Sequence, residues 1–219
     1  GFLMAIAAVT SIPLAVVLGA VSARRRDTPF DHVVSIVTLA LAALPEFVVA
    51  IALVILLATT VFQIFPGVTL IDPGVGPWNY PKELVLPTLT LVIAVTPYIT
   101  RIMRGSMVEI LESDYVEMAR LKGLPERLVV WRHAVPNGIA PTFQVIAINL
   151  AFLAGGIVVV EAVFNYPGIG AAFVDAVRAR DMPVVQALAL LIAALYVVLN
   201  LLADLATILV SPRLRTALR

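Results

Sequence analysis

The stretch from Arg101 to Pro141 is the one long polar segment in an otherwise apolar chain, and its charged residues are spaced for helix ends and docking rather than bond-making. Asp114 can accept from the free amides of a first helical turn, and Glu117, three places on, can reach back as in a capping box. Lys122 suits the negative end of the helix dipole, Gly123 can take the left-handed conformation that closes a helix, and Leu124 can cover the last turn. Pro125 suits the first position of a second helix running to about Ala134. Two short helices joined by a tight bend are expected. No catalytic constellation accompanies them. There is no Gly-Lys-Ser/Thr loop to cradle phosphate, so the chain is read as a non-enzyme that holds no ATP or Mg of its own. His32 and His133 lie in separate segments and read as surface or packing residues. Gly168-Ile169-Gly170 is a turn beside Pro167. Without cysteine there is no thiolate metal site, and no metal is expected.

A second set of polar groups sits inside the apolar runs. Glu46 directly follows Pro45, Gln144, Asn149 and Glu161 share one run, and Asn200 and Asp204 are four apart in another. An ionisable side chain in hydrocarbon is costly unless it faces a cavity or a partner, so these six could line a translocation path. They could equally hold helices together by hydrogen bonds, beside small-residue contacts such as Ala154-Gly155-Gly156. Glu161, near the end of its run, also suits capping or anchoring the next segment. That segment, from Pro167 to Met182, puts Ile169, Ala172, Phe173, Ala176 and Val177 on one helical face and Asp175, Arg178 and Arg180 elsewhere. It reads as a helix lying in the outer interface, or as a plain re-entry element.

The elements that must carry these groups follow from composition. With 61% hydrophobic and 13% charged residues in 219, one soluble core could not hide the apolar side chains, so the chain is an integral membrane protein. A net charge of +1 argues against nucleic acid as a partner. Apolar runs cover 2–21, 33–65, 84–103, 142–164 and 184–210, with Pro13 expected to kink the first, Pro45 to bend the second, and Pro87 and Pro97 to interrupt the third. A Pro- and Gly-rich loop lies between Pro66 and Pro81. The expected fold is all-α and polytopic, with five spanning helices. Twelve of the fifteen basic residues fall after the first run, in the central segment and in the tail, so those three regions, the C-terminus included, are expected to be cytoplasmic. The chain opens at Gly1 already inside an apolar run, and the natural protein is expected to begin earlier, with a further helix.

Glu117-Met118-Ala119-Arg120-Leu121-Lys122-Gly123, then Arg132-His133-Ala134-Val135-Pro136-Asn137 and Pro141, resembles the cytoplasmic loop of permease subunits of binding-protein-dependent ABC importers. Val160-Glu161-Ala162-Val163-Phe164 with Pro167-Gly168-Ile169-Gly170 is similar to the dipeptide, oligopeptide and nickel branch, as are Phe30-Asp31-His32, Asp181-Met182-Pro183, Asn200 to Asp204 and Ser211-Pro212-Arg213. The resemblance covers essentially the whole chain as a single transmembrane domain, 1–219, with a coupling loop at 105–140. Met118 stands where the general motif has its second Ala.

The resemblance implies a permease of the prokaryotic inner membrane that imports short peptides, or nickel, glutathione or another small solute. It implies four kinds of partner: a second homologous permease, two cytoplasmic ATPases that hold ATP and Mg, an extracytoplasmic substrate-binding protein, and the lipid bilayer. Asp114, Glu117, Ala119, Arg120, Lys122, Gly123 and Leu124 are then the contact with an ATPase, and Phe173, Arg178 and Arg180 part of an outer gate or of the surface on which the binding protein docks. The residues alone leave two other classes open: a proton-coupled carrier relaying through Glu46, Glu161 and Asp204, and a structural membrane scaffold.

Overall fold

The computed structural model describes residues 1–72 and 74–210; the side chains of Ala140, Pro141, Ala151, Ala154, Ala203, Asp204 and residues 206–210 are also outside the described set. Every regular element among the described residues is helical. α1 (Phe2–Arg24) runs unbroken through Pro13, so the expected kink does not end the helix. The second apolar run does break. α2 (Pro29–Ala42) stops, and α3 (Glu46–Leu53) restarts after Pro45, which caps it in an extended conformation, φ −61° and ψ 145°. Proline pushes the residue before it out of the helical region, which explains a break three residues wide. Tyr98 donates its hydroxyl to the carbonyl of Ala42 at 3.0 Å, satisfying one acceptor left open where α2 ends. α3 passes into a π-helical turn, Val54–Thr59, so the helix finishes short of the expected Phe65.

α4 (Pro81–Leu111) is longer than the expected run at both ends and continues through Pro87 and Pro97. A proline cannot donate to the carbonyl four residues back. For Pro87 that carbonyl belongs to Glu83, and it accepts instead from the Thr69 hydroxyl at 3.5 Å. α5 (Asp114–Leu121) follows after two residues. The second short helix differs most from expectation. Pro125 is the extended cap of α6 (Glu126–Leu128) rather than its first residue, and α6 does not stop at Ala134. It continues through a π-helical stretch, Val129–Ala134, into α7 (Val135–Phe164). α8 (Ile169–Arg178) and α9 (Met182–Val210) complete the order.

Among the described residues three helices are long and apolar enough to cross a membrane: α1, α4 and α9. The count rises to five when α2 with α3, and the two halves of α7, are each taken as one bent span. Most of α9 leaves its apolar side chains outward, with Leu190 72% exposed and Val197 64% exposed, a surface that suits hydrocarbon.

The described residues form two compact units, one from residues 1–11, 43–95 and 150–199, the other from 12–42, 96–149 and 200–210. In the second unit Met103 and Met107 of α4 fill the gaps between Ala20 and Ala23 of α1 and Val130, Ala134 and Val135. Alanines let helix backbones approach, and unbranched methionines adapt to what is left. In the first unit the loop before α4 is pinned to helix ends. The Thr69 amide donates to the Phe164 carbonyl at 2.8 Å, the Leu70 amide to Glu83 at 2.5 Å, and the Tyr80 hydroxyl to Asp72 at 2.8 Å. The bond to Asp72 raises the Tyr80 pKa above its ordinary value. Phe2 meets Trp78 edge-on with ring centroids 6.1 Å apart.

Candidate coupling surface

α5 is an amphipathic helix whose inner face is short and small. Val116 and Ala119 are buried together with Val129, and Ile110, Leu111 and Leu124 pack around them. Its start departs from the capping-box expectation: no side chain caps it. Ser113 turns its hydroxyl back to the Ile110 carbonyl at 2.5 Å, serving the end of α4, while the Val116 and Glu117 amides donate to the Ser113 carbonyl. The helix end matches expectation. Gly123 has φ +75°, its amide donates to Arg120 at 2.9 Å, and the Leu124 amide reaches Ala119 at 3.4 Å, the paired bonds of a left-handed helix stop. Lys122 lies one place past the last turn, and Arg120 occupies it.

Arg120 has a second set of contacts that spacing did not reveal. Its guanidinium donates to both oxygens of Glu126, at 2.9 and 3.2 Å, and to the Leu111 carbonyl at 3.1 Å. One side chain therefore ties α5 to the end of α4 and the start of α6. The same contact holds the Glu126 carboxyl below its ordinary value. Ala119 faces inward, whereas Asp114, Glu117, Lys122 and Gly123 are exposed and Leu124 is half-buried. The outward stripe is apolar: Tyr115, Met118 and Leu121 are 46%, 55% and 74% exposed. Their spacing of three is the signal that could have found them, once Val116 and Ala119 are assigned to the inner face. Past the end of α5, Pro125, Arg127, Leu128 and Trp131 line an open hollow of about 510 Å³.

The polar groups inside the apolar helices have separate surroundings. In the first unit Glu46 is half-buried with its carboxylate against the backbone of Gly156, where a side chain would crowd it. Glu161 is 2% exposed and accepts from the amides of Gly170 at 2.7 Å and Ala171 at 3.3 Å. Gly168 and Gly170 leave the room for that carboxylate. Phe173 is half-buried, Arg178 lies 3.6 Å from Asp175 with both exposed, and Arg180 is exposed with φ +57° at the turn ending α8. Of the expected apolar face of α8, Ala176 is buried but Ile169, Ala172 and Val177 are exposed. In the second unit Gln144 is exposed, Asn149 donates to the Val145 carbonyl of its own helix at 2.8 Å, and Asn200 is half-buried. The Asp204 side chain, and Ser211-Pro212-Arg213 with the rest of the tail, lie outside the described residues.

In the sequence Asp31 reads only as part of a motif echo and Arg104 only as a topology charge. They form a two-point ion pair, Arg104 Nε to Asp31 Oδ1 and Nη2 to Oδ2, both at 2.6 Å. Asp31 is 1% exposed. Asp31 stands three places after Thr28, whose hydroxyl accepts its amide at 3.5 Å, a pattern that reads from sequence as a local helix start.

Residues 15–216 match the model of the family described as binding-protein-dependent transport system inner membrane component. The chain belongs to that family. The chain is accordingly an all-α, multi-pass membrane protein. It is similar to the "Probable peptide ABC transporter permease protein y4tP" of Sinorhizobium fredii, 38% identical over 208 residues that make up 94% of this chain and 66% of the relative. It is also similar to the dipeptide transport system permease protein DppB of Lactococcus lactis subsp. cremoris, 34% identical over 202 residues, 92% of this chain and 64% of the relative. The chain thus spans just under two thirds of the length of these curated relatives.

Proposed function

We propose that this chain is a permease subunit of an ATP-driven importer of short peptides. It lines the translocation path with a second, homologous permease, takes substrate from an extracytoplasmic binding protein, and is driven by two cytoplasmic ATPases. The observation that carries the reading is the α5 elbow. It is a short helix closed at Gly123, fastened through Arg120 to α4 and α6, and exposing Tyr115, Met118 and Leu121 outward. A partner that grips such an elbow moves the long helices on either side of it as rigid bodies. Family membership supports an importer, and the names of the two relatives, a peptide ABC transporter permease and a dipeptide permease, support peptide as its substrate. On it the elbow and the C-terminus face the cytoplasm.

The test is uptake of a labelled short peptide into vesicles holding the full-length permease with its partners. Uptake that survives collapse of the proton gradient but stops on ATP depletion supports the importer. The reverse pattern establishes a proton-coupled carrier instead.

A further inference from the structure

We propose that Asp31 and Arg104 are positioning residues that yoke α2 to α4, so that displacement of the α5 elbow moves both helices rather than α4 alone. The proposal rests on the importer reading above.

The Asp31 carboxylate receives four donors: Arg104 twice at 2.6 Å, the Ser22 hydroxyl at 2.5 Å and the Asp27 amide at 3.1 Å. Residues of α1, α2, α4 and the loop between the first two therefore meet on one buried anion. Burying a carboxylate costs much unless its partners are complete, and an apolar pair of equal volume commonly serves stability as well or better. A fully satisfied charge cluster at this point is better explained by what it specifies, a fixed register of α2 on α4. A bidentate guanidinium is suited to that, because its planar fork fixes orientation as well as distance.

The position of Arg104 adds the link to the elbow. It stands seven residues before Leu111, roughly 10 Å along an unbroken helix. Leu111 is where Arg120 of α5 takes hold. Tension at the elbow therefore reaches α4 at its end and the ion pair two turns higher. The Tyr98 hydroxyl of α4 also reaches the Ala42 carbonyl of α2 at 3.0 Å, a single neutral bond at the far end of α2, and a second ion pair between these segments, Arg26 with Glu112, has side chains 48% and 66% exposed, so that solvent screens it. Asp31–Arg104, in which the carboxylate is buried and the guanidinium 30% exposed, is the stiffer of the two.

The test compares wild type with Asp31→Asn, Arg104→Lys and the apolar double variant Asp31→Leu/Arg104→Leu, each in the assembled transporter. The readouts are assembly, ATP hydrolysis and peptide taken up per ATP hydrolysed. Arg104→Lys keeps the charge and loses the fork, and the double variant removes both charges together, leaving the neutral Ser22 hydroxyl and Asp27 amide, rather than a charge, without that acceptor. Expected is assembly and hydrolysis within twofold of wild type, with uptake per ATP lower by about tenfold or more. An unchanged ratio, or assembly and transport falling together at constant ratio, overturns the yoke and leaves a purely structural pair. Wild type without ATP-driven uptake overturns the importer reading itself, and the coupling role with it.

Discussion

The carboxylate of Glu161 sits 2.7 Å from the amide of Gly170, so a side chain near the end of α7 supplies the cap that α8 lacks in its own sequence. Helix starts leave amides unpaired, and here two of them point at one buried acceptor. Glu161→Ala strands the Gly170 and Ala171 amides and should destabilise the protein by about 1–3 kcal/mol. Glu161→Gln retains one acceptor oxygen and should cost less. Hydrogen exchange over residues 169–178 is the direct measurement: protection lost in Glu161→Ala and largely kept in Glu161→Gln.

Gly123 has φ +75° with nothing within 4 Å of where a side chain would start. Gly123→Ala should therefore cost only the backbone term, about 1–2 kcal/mol, and Gly123→Asn less, since Asn tolerates this conformation. Thermal unfolding separates the three. Gly123→Trp should abolish peptide uptake while capture of substrate by the binding protein persists; normal uptake in that variant would remove the elbow from the mechanism.

Leu121 is 74% exposed, so Leu121→Asp should leave stability within about 0.5 kcal/mol of wild type. Co-purification of the ATPase should nevertheless fall, because a charge would enter an apolar contact. Retained ATPase at equal expression would move the docking surface off the outer stripe of α5.

The Arg120–Glu126 contact sets a pH response. Glu126 is held below its ordinary value of 4.5 in the folded chain, so the contribution is complete above that value and is lost as pH falls through the lowered one. Both side chains are 41% exposed, which limits the effect to about 0.2–1 kcal/mol. Melting at pH 7 and at acid pH should show this increment in wild type and lose it in Glu126→Gln.

The absence of cysteine makes topology directly testable. A single cysteine replacing Lys122 should react with a membrane-impermeant thiol reagent only from the cytoplasmic side, and one replacing Arg178 only from the other.

What the amino-acid sequence settled by itself was local. Apolar runs of spanning length define membrane helices because hydrocarbon leaves backbone groups no other partners, and Gly123 before Leu124 fixes the elbow because few other residues enter that conformation. Proline was the misleading signal. Pro45 breaks a helix, while Pro13, Pro87 and Pro97 ride inside helices, and at Pro87 a hydroxyl from Thr69 serves the carbonyl left open. The inward turn of Ala119 and the three-way grip of Arg120 depend on which faces meet, and packing also decides between the two readings of Glu161, turning it to the start of α8 as a cap. Asp31 and Arg104 are 73 residues apart, and each alone reads as a helix start or a topology charge. Only packing of α1, α2 and α4 excludes water around that carboxylate and makes its four donors count.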